Sequence, residues 1–324
     1  MPRYDKVLLA EQAKKYGFQA SSFEKVSRLV DILRFMNETP ELRDSLALKG
    51  GTAINLTVFY LPRLSVDIDL DFTGDFSREE TKQRRDRITS VIERYMTAQG
   101  YVQKGKSKRT YILDSFVYSY TNAAGNADNI KVEINYSLRC HVLPEITAFS
   151  QTSEAFASFP IRTLNPIEIF GSKIVALSGR AAARDLYDLN NMILFGLFDE
   201  SEFAMLRKCA VFYLAVAGDE GARDLAFGRV EDITSYKIKT DLIPMVRNAE
   251  FFDLPAAKQR VSSFISDNLT LQESEKEFLR RFAEGHYKPQ ILFNDPEIVK
   301  RIEHHPMAAW RIQHIRDEQD RGDR

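Results

Sequence analysis

The sequence predicts an α+β protein, with a mixed sheet flanked by helices in the first half and an all-helical C-terminal domain after it. Three observations carry this reading. Strand alternation and helical periodicity are interspersed up to residue 164, and strand signals vanish from Asn165 onward. The third is the run Val66-Asp67-Ile68-Asp69-Leu70-Asp71-Phe72, an alternation that sets an aspartate at every second position.

Taken in order, Ser22 to Phe35 repeats apolar residues at helical spacing through Phe23, Val26, Leu29, Val30, Ile32 and Leu33. Leu46 to Leu48 reads as a short strand, and Gly50-Gly51 as a turn whose backbone can approach a ligand closely. Thr52 to Tyr60 then reads as a helix with its N-terminus facing an anion. After the aspartate strand, Ser77 and Glu80 form a capping box that starts a helix reaching Gly100. Strands follow at Thr110 to Tyr120 and Ile130 to Tyr136, joined by a turn over Asn122 to Asn126, with further extended pieces towards Ile161. Asn165-Pro166-Ile167-Glu168 is a helix start, with Asn as N-cap, Pro at the first helical position and Glu three residues after the cap. The expected domains are therefore 1–164 and 165–324. Within the second, breaks are expected near Gly179, near Gly196 and Phe198, from Gly218 to Gly221 and at Leu254-Pro255, with a frayed charged tail after Trp310.

The chain has 324 residues, 44% apolar and 28% charged, enough to build cores and stay soluble. No run of about 18 apolar residues is present and the first residues lack a signal peptide's apolar segment, which places the chain in the cytoplasm with no membrane partner. Two cysteines, Cys140 and Cys209, exclude a disulfide framework and a cysteine zinc site, and both are expected as buried thiols. The five histidines show no metal-ligand spacing and no nucleophile elbow accompanies them, so hydrolase chemistry has no support. Aromatic residues such as Phe195, Phe198, Phe203, Phe212 and Tyr213 read as core of the helical domain. A net charge of −1 gives no global attraction to nucleic acid, so a polyanion needs a local patch. Lys104, Lys106, Lys108 and Arg109 supply one, and Lys82, Arg84, Arg85 and Arg87 another.

Candidate chemistry centres on the aspartates. Side chains alternate across a strand, so Asp67, Asp69 and Asp71 share a face, where like charges repel unless a hard cation with oxygen ligands offsets them. Mg²⁺ fits, and a phosphate-accepting turn beside it points to a nucleoside triphosphate. In Asn129 to Asn135 a second alternation puts Lys131, Glu133 and Asn135 on one face, where Glu133 is either a further metal ligand or part of a solvated strand.

These residues carry a resemblance. Lys49-Gly50-Gly51-Thr52-Ala53, followed by Arg63-x-Ser65-x-Asp67-x-Asp69, resembles the AbiEii/AbiGii nucleotidyltransferase toxin family within the DNA polymerase β superfamily. The second motif, Lys173 with Arg180, Arg184, Asp185 and Asp188, looks like the family's other block, although Arg184 and Asp188 could equally be a surface pair contributing ~0.3–0.5 kcal/mol. The resemblance implies a polymerase β-like nucleotidyltransferase domain and a Mg²⁺-dependent transfer of a nucleoside monophosphate from an NTP to an acceptor hydroxyl. It further implies Asp67, Asp69 and Glu133 as metal ligands, with Gly50, Gly51, Thr52, Arg63 and Ser65 seating the phosphates. Lys173 would neutralise triphosphate charge, and either Asp185 or Asp188 would support it or contact the nucleotide. As biological role it implies the toxin of a toxin–antitoxin pair acting in abortive infection, with tRNA as acceptor and a cognate antitoxin as partner. A protein or small-molecule acceptor, or an inert nucleotide-binding module, are the alternatives left open.

Overall fold

The computed structural model describes residues 4–150, 155–218, 224–225, 228–248 and 250–322. Two compact units divide the chain. The first comprises Met1–Arg139, Glu145–Leu164 and Ile243–Glu250; the second comprises Cys140–Pro144, Asn165–Leu242 and Phe251–Arg324.

The first unit opens with helices α1 (Lys6–Tyr16), α2 (Ala20–Glu38) and α3 (Pro40–Arg43), followed by strand β1 (Leu46–Leu48). A one-turn helix α4 (Gly50–Ala53) runs directly into a π-helical turn at Ile54–Val58, and then come β2 (Asp67–Phe72) and α5 (Arg78–Ala98). Short β3 (Val102–Gln103) and β4 (Lys108–Arg109) precede the long strands β5 (Leu113–Thr121) and β6 (Ala127–Asn135), and β7 (Ile146–Phe149) and β8 (Pro160–Thr163) complete a sheet of eight strands. Its order is β3-β5-β6-β2-β1-β8-β7, with β4 beside β5. The sheet is mixed: β2 runs parallel to β6 and β1 parallel to β8, while β1–β2, β5–β6 and β7–β8 are antiparallel.

Period-two patterning decides which face is covered. Ile68, Leu70, Phe116, Tyr118, Ile130, Val132 and Ile134 are all buried, on one side of the three central strands. The apolar stripe of α2 (Phe23, Val26, Leu29, Val30, Ile32, Leu33) and that of α5 (Ile88, Ile92, Met96) are buried with them. Stacked rings of Phe35 and Tyr95, 3.7 Å apart, join the two helices. The α5 capping box forms as the sequence predicts, with Ser77 Oγ accepting from the Glu80 amide and Glu80 accepting from the Ser77 amide.

The second unit is helical among its described residues: α6 (Pro166–Arg180), α7 (Ala183–Leu194), α8 (Glu200–Ala217), α9 (Ser235–Lys237), α10 (Leu254–Asn268), α11 (Glu273–Ala283), α12 (Pro289–Leu292), α13 (Pro296–Ile302) and α14 (Pro306–Gly322). Helix α6 crosses α8 at Gly171, where an added Cβ would lie 2.7 Å from the Cys209 Cβ. Cys140 and Cys209 are both buried and form no disulfide.

Three local expectations are corrected. Gly179 does not break α6, which continues to Arg180 and ends where Ala181 adopts φ +47°, the left-handed residue that terminates the helix in place of a glycine. Asn165 caps α6 by accepting from the Ile167 amide, but Glu168 does not close the box. Its carboxylate instead accepts from the Val142 and Leu143 amides at 2.8 and 2.9 Å and from the Tyr213 hydroxyl at 2.6 Å, holding Cys140–Pro144 to the helices. The tail after Trp310 continues as α14. The break expected from Gly218 to Gly221 lies, beyond Gly218, outside the described residues.

Candidate active site

The double glycine, the aspartate strand and β6 meet on the face of the sheet opposite its buried apolar side chains. Gly50 has φ +69°, in the left-handed region where a side chain is strained, and an added Cβ would stand 2.9 Å from Asp69 Oδ2. At Gly51 an added Cβ would meet the Arg63 guanidinium at 2.7 Å and Ser65 Oγ at 3.0 Å. Fifteen residues of spacer are thus folded back until the turn lies against the second aspartate. Asn55 locks it, donating to the Gly51 carbonyl at 2.7 Å, and the Lys49 amide donates to the Asp69 carbonyl at 2.9 Å.

Register aligns the carboxylates. In the parallel β2–β6 pair Asp67 stands opposite Lys131, Asp69 opposite Glu133 and Asp71 opposite Asn135. Neighbouring strands lie ~4.8 Å apart, so these side chains project side by side. Lys131 Nζ reaches Glu133 Oε2 at 2.8 Å, and Lys49 Nζ reaches Asp71 Oδ1 at 2.5 Å. Asp71 is only 1% exposed, which removes it from the open face that Asp67 and Asp69 share. Burial pushes the Asp69 carboxyl up; Lys49 pulls it down, Asp67 and Glu133 push it further up, and Lys131 opposes them, with a net rise. Burial lowers Lys131, but Glu133, then Asp67 and Asp69, outweigh this and hold the ammonium firmly charged.

Two of the predicted residues hold the turn and the strand together. Thr52 is buried and its hydroxyl donates to the Asp67 carbonyl at 2.5 Å, a bond that fixes the aspartate strand to the turn. Arg63 is buried as well: it donates to the Leu64 carbonyl at 2.9 Å and packs beneath Gly51, supporting the turn from behind. Ser65 remains half-buried beside Gly51.

Among the described residues no group of three His, Cys, Asp or Glu side chains is gathered as a metal cage. Glu133 is held by Lys131, which leaves the pair Asp67 and Asp69. Such a pair suits Mg²⁺, which keeps most of its sphere for water and phosphate oxygens and uses one or two carboxylates. The residues therefore fit an ion that arrives with substrate oxygens.

The second motif assembles within the helical unit. Lys173 Nζ lies 2.9 Å from Asp185 Oδ1 and 2.9 Å from Asp188 Oδ2, with all three residues buried. Arg180 adds a two-nitrogen contact to Asp185 at 2.7 and 3.0 Å. Burial would raise the Asp185 carboxyl, but Lys173 and Arg180 outweigh it and hold it well below the usual carboxylate range. Asp188, too, is joined to Lys173.

The basic clusters are partly closed. Arg85 and Arg109 both bind the buried Asp114, and Arg109 also pairs with Asp86 at 3.0 Å. Lys104, Lys106 and Lys108 stay exposed, as does Tyr111 at 71%, over whose ring the Arg78 guanidinium lies 5.8 Å from the centre. Sequence reasoning missed Asn55 as the lock of the turn and Lys49 as the partner of Asp71. Asn55 stands four residues after Gly51, the spacing at which an asparagine reaches back to a helical carbonyl, and that was the available signal.

The family model described as "Nucleotidyl transferase AbiEii toxin, Type IV TA system" matches residues 33–298. A search of curated proteins gives no match. Among solved structures the fold is similar to that of MenT4, a nucleotidyltransferase toxin from Mycobacterium tuberculosis H37Rv, with TM-score 0.63 and 16% identity over 95% of this chain and 99% of that one. No described helix is long and apolar enough to cross a membrane.

Proposed function

We propose that this chain, which belongs to the AbiEii nucleotidyl transferase toxin family, moves a nucleoside monophosphate from an NTP to a hydroxyl of tRNA and is held in check by a cognate antitoxin. The observation that carries the reading is the turn at Gly50 and Gly51, packed against Asp69, Arg63 and Ser65 with no room for a Cβ at either position. That packing supports the reading because it sets the glycine backbone against Asp69, on the strand that also carries Asp67.

Asp67 and Asp69 are the residues that would hold a divalent ion such as Mg²⁺, whose chemistry there would be to neutralise charge on the triphosphate. Gly50, Gly51 and Ser65 bind the phosphates, while Thr52 and Arg63 hold the turn and the aspartate strand in place. Glu133, next in register to Asp69, accepts the proton of the acceptor hydroxyl. The new oxygen–phosphorus bond forms as the bond to the β-phosphate breaks, and pyrophosphate leaves. Lys173, Asp185 and Asp188 enter through the second motif alone, as groups of the family's transfer machinery.

The acceptor reading is supported by a cross-strand row. Asp69 is in register with Glu133, Glu133 with Ser115, and Ser115 with Lys108 on β4. Three strand spacings make ~14 Å. A chain of phosphates laid along this row would run from the carboxylates to Lys108, Lys104 and Lys106, with Tyr111 open for base stacking. The test is to incubate the protein with each labelled NTP and total cellular RNA, and in parallel with a ribonuclease-treated lysate. Label in a tRNA-sized band, lost after ribonuclease, is the expected result; label in a protein band that survives ribonuclease would overturn the acceptor assignment.

A further inference from the structure

We propose that Lys131 is the resident cation of the carboxylate face, and that metal enters with the triphosphate because the ammonium must first give up Glu133. The inference rests on reading Asp67 and Asp69 as the metal-binding pair and deepens it.

Lys131 stands opposite Asp67 in the β2–β6 register, and its ammonium lies 2.8 Å from Glu133 Oε2. It also interacts electrostatically with Asp67 and Asp69. One ammonium therefore acts on three carboxylates, in contact with Glu133 and at longer range with Asp67 and Asp69, and it sets a positive charge beside the pair that would hold a divalent ion. The absence of a three-carboxylate cage among the described residues follows from this: the third carboxylate is drawn to the lysine. The neighbouring cation is placed differently. Lys49 is tied to Asp71, a carboxylate 1% exposed, whereas the Lys131 side chain is 39% exposed and Glu133 24%. A long, flexible, hydrated ammonium at that exposure can leave its partner at low cost, which a buried guanidinium such as Arg63 cannot.

The consequence is an order of addition. A free divalent ion meets a positive charge beside the aspartates and gains little by displacing it, because Mg²⁺ sheds water reluctantly. An ion carried by a triphosphate brings most of its oxygen ligands along and offers the displaced ammonium a polyanion to face. Glu133 is then free to accept the acceptor's proton. Lys131 is thus a positioning residue that holds Glu133 and offsets part of the face's negative charge until substrate arrives.

The probe is Mn²⁺, titrated calorimetrically and by electron paramagnetic resonance into the full chain, with and without a non-hydrolysable triphosphate analogue. The wild type is expected to bind Mn²⁺ alone weakly and far more tightly with the analogue. Lys131→Met should bind Mn²⁺ alone about tenfold more tightly, the effect of removing one nearby like charge, and the analogue should add correspondingly less. Lys131→Gln, a second neutral variant, should behave the same way if the methionine variant folds poorly. Unchanged Mn²⁺ affinity in both neutral variants, with binding still abolished by Asp69→Asn, would overturn the role of Lys131 and leave the metal site standing. Binding that survives Asp69→Asn would instead remove the reading on which the inference rests.

Discussion

On β2 and β6, Asp67, Asp69 and Glu133 crowd a half-exposed face with Lys131 as their shared cation, whereas on α6 and α7 Asp185 and Asp188 close on the ammonium of Lys173 inside the helical unit. Both regions combine lysine with carboxylates, yet their protonation equilibria move in opposite directions: Asp69 is raised and Asp185 lowered. The helical cluster balances its charges in close buried contacts, which ties these groups to the folding of the helical unit whatever part they take in transfer. The sheet cluster keeps a surplus of negative charge against a glycine turn too tight for a side chain, an arrangement that costs stability and is typical of a site that receives a cation. The difference teaches that a charged motif reads as function where its charges fail to cancel.

The sharpest way to break this contrast is at the aspartates. Asp67→Asn and Asp69→Asn should each lower transfer of labelled nucleotide by about 10²-fold or more while the protein stays folded, because each removes a charged oxygen ligand. Purified variants that retain turnover within a few-fold of wild type would dissolve the distinction.

Lys173→Ala probes the other side. Removing the lysine takes its ammonium from two buried carboxylates, of which Asp185 keeps Arg180, and denaturant titration should show a loss of up to ~3–5 kcal/mol. The sign with pH follows from the lowered Asp185: its contribution is present above the ordinary carboxylate range and is lost as pH falls below it, so wild type and variant should converge in acid. If Lys173→Ala keeps its stability and loses turnover, the cluster acts in transfer alone and the contrast narrows.

Smaller effects are expected at the sheet edge. Reversing the charge of Lys104, Lys106 and Lys108 should weaken RNA binding and reduce its salt slope by about 0.7–0.9 per lost phosphate contact, with triphosphate binding unaltered. Arg109 is left out of this set because Asp86 and Asp114 already hold it. An unchanged slope would move the acceptor to another surface.

Much of this was legible in the sequence where one physical rule dominated. Alternation gave the aspartate strand and the shared face of Lys131 and Glu133, and the capping box gave the start of α5. Where two rules competed, the chain gave only a short list. Glu168 looked like a capping residue, but the amides of Val142 and Leu143, distant in sequence, hold it. Gly179 looked like a helix breaker, yet Ala181 ends the helix. Thr52 and Arg63 sat in the right motif, and only the folded chain showed their polar atoms turned to the Asp67 and Leu64 carbonyls. Long-range hydrogen bonds of this kind leave no periodic trace.

The central claim is that Asp69 stands on a face that destabilises the metal-free protein so that it can bind metal and triphosphate. Thermal melting of wild type and Asp69→Asn tests this most directly, without metal across pH 4 to 8 and then at pH 7 with Mg²⁺ and NTP. Because the folded-state pKa of Asp69 is raised, wild-type stability falls as pH rises through that value; the variant should therefore melt at or above wild type at neutral pH, with the gap closing in acid. Ligand should then raise the melting temperature of wild type and leave the variant unmoved. A variant that melts below wild type without metal at neutral pH, or that gains the same shift with ligand, would contradict the account.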